Sequence, residues 1–458
     1  MPASPPARSE VESLQAYSAP LEGRRGLLRL DFNENTVGPS PRVVEAIRAI
    51  PADHYAIYPE YDGLREAVLA SLADMAGAIV AAAADSTAPV PAVAPGVAPV
   101  VAPPIRADGV PALAMVPLPQ QPARRPSLRI EQVGLFNGVD AAIHALFQAY
   151  GAPGDRLLTT SPTFGYYTPC AQMQGMVIEA IPYRMPGFAF PFEEILAALT
   201  TPPAEADGSW RPPRLLLLCN PNNPTGTRLA PEAVLALAAA APHTLVVVDE
   251  LYEAFTGDSV LPLLLGPAGQ GQIDADAAAT AAGAAAAPET PALATSVGAD
   301  PFAACPNLLV LRSLSKTAGI AGLRIGFAIG AAAVVDRVSR VTGPYDINSF
   351  AVTAAFAALA DQAYVDAYVA EVLAARQWLV ERLVAAGVRH HVDGGNYLLI
   401  WPQRPAAEVD QALREAGILV RSMAGKPLID GSLRVSLGTL EQMGRFWEAF
   451  VLCDARPV

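Results

Sequence analysis

Short apolar runs alternate with helical segments along most of the chain. The runs are rich in Leu and Val and often apolar throughout, a pattern typical of strands buried on both faces of a sheet. Helical stretches such as VDAAIHALFQAY and PEAVLALAAAA lie between them. This alternation predicts a mostly parallel sheet with helices on both sides, an α/β fold. The predicted strands are QVGLF, RLLTT, VIEAI, RLLLLC, TLVVVDE, NLLVLRS and RIGFAIG.

The pattern changes near the C-terminal end of the chain. After Val352 long helices are followed by short strands around GGNYLLIW and SLRVSLG. We therefore predict a smaller α+β domain over residues 343–458, after a large domain over 54–342. Residues 1–53 are predicted to form an N-terminal arm that contributes to the small domain.

Two low-complexity segments interrupt this alternation. Residues of about 76–127 are rich in Ala, Pro and Val, and residues of about 266–304 are rich in Ala. Dense prolines prevent regular structure in the first, and neither segment offers large side chains for a core. Because long loop insertions cost little free energy, both are interpreted as surface insertions. A partner-binding polyproline segment is the alternative.

Composition narrows the class of protein. The chain has 458 residues, of which 52% are hydrophobic and 16% charged, as in a globular protein with a large core. A formal charge of −13 without a basic stripe disfavours a nucleic-acid partner. The scattered cysteines and histidines form no metal-ligand spacing. Since no segment reads as a signal peptide or a membrane span, we expect a soluble, cytoplasmic protein.

Lys316 is the first candidate for chemistry. It follows the predicted strand NLLVLRS in the nearly uncharged stretch RSLSKTAGIAGLR. A desolvated amine loses part of its preference for protonation, and a neutral amine can form a Schiff base with a carbonyl. A lone lysine is usually only a surface charge, so its neighbours matter. Ser313, Ser315 and Arg324 supply two hydroxyls and a guanidinium fork that match a phosphate.

Three other predicted strands end in polar groups. LFNGVDAAIHALF passes through Gly138 into a helix whose free N–H groups form an anion site, and LLLLCNPNNPTG ends in a turn. VVVDELYEAF ends with Asp249 and Tyr252. Asp249 is either a helix cap or an acid that pairs with a protonated ring nitrogen. Chemistry in such sheets gathers at the carboxyl ends of the strands. Together the groups predict a pyridoxal-phosphate site.

Seven motifs of the chain resemble those of a known family and occur in the same order. They are LDFNENTVGPSP, YPEYDGLREA, NPNNPTG, VVVDELYEAF, RSLSKTAGIAGLRIGF, GILVR and LRVSLG. The chain resembles the fold-type I, class I/II aminotransferases, in the histidinol-phosphate aminotransferase branch. The resemblance implies a three-layer large domain with a mostly parallel sheet, a smaller α+β domain and a homodimer. It also implies pyridoxal-phosphate-dependent transfer of an amino group between an amino acid, or histidinol phosphate, and a 2-oxo acid.

The resemblance implies a role for each matched residue. Lys316 holds the cofactor as an internal aldimine and then moves the proton between the substrate α-carbon and the cofactor. Asp249 pairs with the pyridinium nitrogen, and Asn223 and Tyr252 hydrogen-bond the phenolate oxygen. The other implied cofactor contacts are Phe164 on the ring, Ser313, Ser315, Arg324 and the Val139 and Asp140 amides on the phosphate, and Tyr58 from a second subunit.

The implied substrate contacts are Arg434, Arg421 and Asn223. Arg434, in SLRVSLG, matches the arginine that binds the α-carboxylate of an amino donor, and Arg421, in GILVR, would bind a second anionic group. For either arginine a rim salt bridge is the alternative. Val37 stands where members acting on histidinol phosphate carry a tyrosine that contacts the substrate phosphate. The donor is therefore left open between histidinol phosphate and another amino acid.

Four alternatives to an aminotransferase can be compared with the sequence. A decarboxylase of a phosphorylated amino acid, similar to threonine-phosphate decarboxylase, would need the same lysine, aspartate and phosphate cradle. A cofactor-binding regulator would need a DNA-binding module, and only about thirty residues precede LDFNENT. An inactive homologue would be expected to lack Lys316 or Asp249. A Rossmann dehydrogenase is disfavoured because no GxGxxG follows an early strand.

Overall fold

The computed structural model describes residues 5–14, 22–72, 128–202, 210–265 and 300–455. Most of both predicted insertions, at about 76–127 and 266–304, lies outside these residues. The end of the second segment, however, belongs to the fold. Phe302 is buried in the core, and the Asp300 carboxylate accepts hydrogen bonds from Arg129 and Gln132 at 3.0 and 2.8 Å.

The strands of the described residues fall into three sheets. One sheet has seven strands, one has four, and one is a two-stranded pair. The strands are β1 (Leu28–Arg29), β2 (Val133–Phe136), β3 (Arg156–Ser161), β4 (Val177–Pro182), β5 (Leu215–Cys219), β6 (Leu245–Asp249), β7 (Leu308–Ser313), β8 (Gly326–Gly330), β9 (Arg389–His391), β10 (Tyr397–Trp401), β11 (Ile418–Leu419), β12 (Arg421–Ser422) and β13 (Leu433–Ser436).

The seven strands predicted from apolar runs form the largest sheet. Their order is β2-β8-β7-β6-β5-β3-β4. Strands β7, β6, β5, β3 and β4 run parallel to one another, and β8 is antiparallel to both β2 and β7. The prediction of a mostly parallel sheet is confirmed. Consecutive residues of β5 and β6 point into two separate hydrophobic clusters, one on each face, which explains their continuous apolar sequences.

Helices cover both faces of this sheet. The helix Pro41–Arg48 begins with Ser40, whose hydroxyl accepts from the Val43 amide, and with proline at its first position. The predicted segment VDAAIHALFQAY forms one helix over its full length. The helices are Ser9–Glu12, Pro41–Arg48, 64–72, Val139–Tyr150, Tyr167–Met173, Phe192–Thr200, Pro231–Ala240, Leu261–Leu265, Ala332–Ser339, Ser349–Leu359, Gln362–Ala385, Ala406–Glu415 and Leu440–Asp454.

A smaller α+β unit carries the four-stranded antiparallel sheet β12-β13-β10-β9. Its core includes Leu28 and Leu30 from the N-terminal arm, and β1 pairs in parallel with β11. The helix Ser349–Leu359 instead packs into the core of the large sheet, although it follows the predicted boundary at residue 343. The two cores divide within the helix Gln362–Ala385. In the residues that the structure describes, every helix is too short or too polar to cross a lipid bilayer.

Candidate active site

A cavity lies at the carboxyl ends of β5, β6 and β7, beside the start of the helix Val139–Tyr150. Every cofactor contact implied by the sequence lines it, except Tyr58. Cys219, Leu251 and Ala321 line it as well and had not been predicted. The lining residues are Val139, Asp140, Phe164, Cys219, Asn223, Asp249, Leu251, Tyr252, Ser313, Ser315, Lys316, Ala321 and Arg324.

The Lys316 amine points into this cavity from the loop after β7. Its Nζ donates a hydrogen bond to the Phe32 carbonyl at 3.0 Å. No carboxylate in the described residues forms a salt bridge with it. Burial, followed by the charge of Arg434, lowers the pKa of Lys316 from 10.5 to about 8. A substantial fraction of this amine is therefore neutral near physiological pH, as a nucleophile requires.

Asp249 ends β6, is buried and lines the same cavity. Its Oδ2 accepts a hydrogen bond from the Tyr167 hydroxyl at 2.8 Å, and its Oδ1 accepts from the Leu251 amide at 3.3 Å. Burial raises the pKa of this carboxyl from 3.8 to about 7. A protonated ring nitrogen beside it would stabilise the carboxylate form. The structure does not use Asp249 as a capping residue with a side-chain bond to the next helix.

The predicted phosphate cradle is assembled from two loops. The Ser313 hydroxyl donates to Ser315 Oγ at 2.8 Å, and Arg324 Nη2 forms a 2.8 Å ion pair with Asp140 Oδ2. Gly138 precedes the helix Val139–Tyr150 with a φ of +79°. A Cβ on Gly138 would lie 2.5 Å from Arg324 Nη2, so any side chain there would displace the guanidinium. The free N–H groups of the helix start add to this positive site.

Tyr252 and Asn223 belong to a buried network that reaches Arg434. The Tyr252 hydroxyl accepts hydrogen bonds from Asn33 Nδ2 at 3.1 Å and from Asn223 Nδ2 at 3.2 Å. Arg434 Nη1 donates to Asn223 Oδ1 at 2.6 Å. The predicted arginine of the donor site thus contacts a residue that lines the cavity. Asn33 had not been predicted, although it lies in the quoted motif LDFNENTVGPSP.

Phe164, Arg421 and Tyr58 lie in three different environments. Phe164 lines the cavity and makes an edge contact with Tyr167, the rings 5.5 Å apart. Arg421 is opposite Arg434 in the β12–β13 register, and its guanidinium lies 5.6 Å from the Phe32 ring centroid. Tyr58 is 70% exposed and lies outside the cavity, stacked on Tyr345 with 4.0 Å between centroids.

Neither Cys219 nor Tyr167 was predicted from the sequence, and the reasons differ. Cys219 is the register partner of Asp249 across β5 and β6, so it follows from strand pairing once the order of the sheet is known. Tyr167 precedes Asp249 by 82 positions, and no local pattern announces their hydrogen bond.

The donor set fits pyridoxal phosphate. The cavity has a half-buried amine for an aldehyde and a buried carboxyl for a pyridinium nitrogen. Its hydroxyls, guanidinium and helix start form a cradle for a phosphate, and a side chain at Gly138 would intrude on the guanidinium of that cradle. These groups are the three that such a cofactor requires of a protein.

The comparison with protein families agrees with this class of site. The family described as aminotransferase class I and II matches residues 125–450. The chain belongs to this family. Membership confirms the predicted enzyme class, a pyridoxal-phosphate-dependent aminotransferase, and does not favour the decarboxylase alternative.

Individual relatives give a more detailed comparison. The chain is 30% identical to a histidinol-phosphate aminotransferase of Symbiobacterium thermophilum over 430 residues, which cover 93% of this chain and 90% of the relative.

Two solved structures share the fold. One is the histidinol-phosphate aminotransferase of Sinorhizobium meliloti in complex with pyridoxal-5'-phosphate, with a TM-score of 0.68, 20% identity and coverage of 98% of both chains. The other is the aspartate aminotransferase of Thermus thermophilus with maleate, with a TM-score of 0.65, 22% identity and coverage of 98% of this chain and 100% of that one. These likenesses confirm the predicted fold class.

Proposed function

We propose that this aminotransferase takes the amino group of histidinol phosphate, or of another amino donor, and passes it to a 2-oxo acid through pyridoxal phosphate in the described cavity. The observation that carries the assignment of the site is Lys316: its amine is half-buried, has a pKa of about 8 and lies in the same cavity as the buried Asp249 carboxyl. Histidinol phosphate comes first among the donors because of the relative from Symbiobacterium thermophilum.

The residues of the cavity have separable tasks. When bound, pyridoxal phosphate supplies an electron-withdrawing ring that stabilises negative charge on the α-carbon of the donor. Lys316 Nζ would hold the cofactor and, as a free amine, would accept the proton from that α-carbon. Asp249 would keep the ring nitrogen protonated, and Asn223 and Tyr252 would donate hydrogen bonds to the phenolate oxygen.

The phosphate and ring faces have their own contacts. Ser313, Ser315, Arg324 and the Val139 and Asp140 amides would hold the phosphate, and Phe164 would cover one face of the ring. Arg434 would bind the anionic group next to the reacting carbon of the donor. Arg421 would bind a second anionic group of the substrate. Histidinol phosphate has no carboxylate, so it would offer Arg421 no such second group.

The donor is tested by a half-reaction screen on the purified protein with its cofactor. Histidinol phosphate, glutamate and aromatic amino acids are added singly, without a 2-oxo acid, while the visible absorbance of the cofactor is followed. We expect histidinol phosphate to convert the cofactor to its amino form. Conversion only by another donor would move the proposal to that amino acid, in agreement with Val37, which is 54% exposed and offers no hydroxyl.

Replacement of Gly138 by alanine tests the cradle. The new Cβ would meet the Arg324 guanidinium at 2.5 Å, so we expect about a tenfold or greater loss of affinity for pyridoxal phosphate. Equilibrium titration of the apoprotein measures this. Gly154→Ala is the matched control, because Gly154 has a φ of +86° with nothing within 4 Å of its Cβ position. Equal losses in both variants would mean that backbone strain, and not the cradle, is responsible.

A homodimer and a cytoplasmic location complete the proposal. Tyr58 and Tyr345 are 70% and 55% exposed and stack on each other away from the cavity. Dimerisation would place Tyr58 of one subunit at the cavity of the other. Light scattering on the purified protein would contradict this if it gave the mass of one chain. The free thiols of Cys170, Cys219, Cys305 and Cys453 suit a reducing compartment, and cell fractionation checks this.

A further inference from the structure

Residues 31–35 of the N-terminal arm, here called the N-terminal wall, contact residues of the site without lining the cavity themselves. The Asp31 carbonyl accepts a hydrogen bond from Arg434 Nη2, and the Phe32 carbonyl accepts one from Lys316 Nζ at 3.0 Å. The Asn33 side chain donates to the Tyr252 hydroxyl at 3.1 Å. Three consecutive residues therefore contact three groups to which the proposed function assigns a task.

Arg24 holds this wall through Asp31 and Glu34, which lie near its two ends. The Arg24 guanidinium donates to both Asp31 carboxylate oxygens at 3.0 and 2.7 Å and to both Glu34 oxygens at 3.2 and 2.9 Å. It also lies over the Phe32 ring, 4.3 Å from the centroid. The Arg24 side chain is only 12% exposed, so these contacts are sheltered from solvent. A planar guanidinium fork fixes two carboxylates in orientation as well as in distance.

We propose that Arg24 is a positioning residue for the amino transfer: by clamping Asp31 and Glu34 it holds the Asp31 and Phe32 carbonyls against Arg434 and Lys316. The role rests on the proposed function of those two residues. Arg24 itself contacts neither of them, and no motif of the sequence marked it. Without the clamp, the carbonyls move away and both the donor arginine and the nucleophile lose a fixed partner.

The charges around Lys316 give the clamp a measurable signature. Arg434 and Arg324 lower the pKa of Lys316, and Glu34 and Asp140 raise it. Arg24 is the main ion-pair partner of Glu34. Removing Arg24 leaves the Glu34 charge less balanced, which shifts the pKa of Lys316 upward. The pH midpoint for attachment of the cofactor should then move to higher pH.

The test compares Arg24→Met and Arg24→Lys with the control Arg29→Met. Arg29 approaches Glu34 at 3.4 Å but does not contact Asp31, and its side chain is 40% exposed. Two quantities are measured: the rate at which full-length apoprotein attaches pyridoxal phosphate as a function of pH, and kcat and KM of the loaded enzyme for the donor that the screen identifies.

We expect Arg24→Met to raise the midpoint of attachment and to raise the donor KM about tenfold, with kcat changed less than about threefold. Arg24→Lys should restore part of both effects. Arg29→Met, which removes a weaker partner of Glu34, should keep the wild-type donor KM and shift the midpoint less than Arg24→Met does. An Arg24→Met variant with unchanged midpoint and KM would overturn the role of Arg24 alone. If the wild-type chain itself does not attach the cofactor, both the proposed function and the role of Arg24 fail.

Discussion

Replacement of Lys316 by alanine is expected to abolish covalent attachment of pyridoxal phosphate and to reduce turnover by about 10⁴-fold or more. Proton transfer by a positioned group alone contributes 10² to 10⁴, and loss of the attachment adds to that. The amine is replaced in a site where its charge is already disfavoured, so the fold should persist. Visible absorbance of the protein after addition of the cofactor, and then turnover, measure the two effects.

The chain offers a close control for this experiment. Its 458 residues contain two lysines, Lys316 and Lys426. Lys426 is exposed and lies outside the cavity, so Lys426→Ala should attach the cofactor and turn over as the wild type does. Borohydride reduction followed by peptide mass analysis should place the cofactor on Lys316. Cofactor found on Lys426, or a Lys316→Ala variant that still turns over, would refute the assignment.

The large sheet was predictable because its signal is local. Strands β5, β6 and β7 are apolar at nearly every position, since alternate residues enter different cores on the two faces of the sheet. Burial on both faces leaves this pattern in the sequence itself. Groups at the ends of such strands, as Asp249 and Ser313 are, can then be expected to meet.

The N-terminal wall could not be predicted in the same way. Phe32 lies 284 positions before Lys316, and Asn33 lies 219 positions before Tyr252. Their meeting depends on the pairing of β1 with β11 and on the approach of the two domains. The helix Ser349–Leu359 is a related case: its apolar residues suit either core, and only the tertiary fold assigns it to the large sheet.

The burial of the Asp249 carboxyl is itself evidence for the role that we propose for this residue. A buried carboxyl is costly when ionised, and the Tyr167 hydroxyl and Leu251 amide offset only part of that cost, so the pKa stays raised at about 7. Such a residue is poorly explained by stability. A cation that arrives with a ligand explains it better, because it restores the ionised form at neutral pH.

Asp249→Asn should therefore separate function from folding. Asparagine fills the same space but cannot keep a ring nitrogen protonated, so we expect turnover to fall by about 10³-fold, the size of effect seen when one electrostatic partner is removed. Tyr167→Phe, which deletes only the hydroxyl that contacts Asp249 at 2.8 Å, should cost much less. An Asp249→Asn variant within tenfold of wild-type turnover would exclude the proposed role.

The stability of the apoprotein gives a second, independent test of the role of Asp249. Because folding raises the pKa of Asp249 from 3.8 to about 7, the stability that its protonated form contributes is present below pH 3.8 and is lost as the pH rises through about 7. Asparagine has no proton to lose. The Asp249→Asn apoprotein should consequently unfold at a higher denaturant concentration than the wild type at pH 8, with the difference shrinking toward pH 5. A variant that loses stability at pH 8 along with turnover would show that Asp249 supports the fold, because a carboxylate needed only by the cofactor has no reason to stabilise the empty cavity.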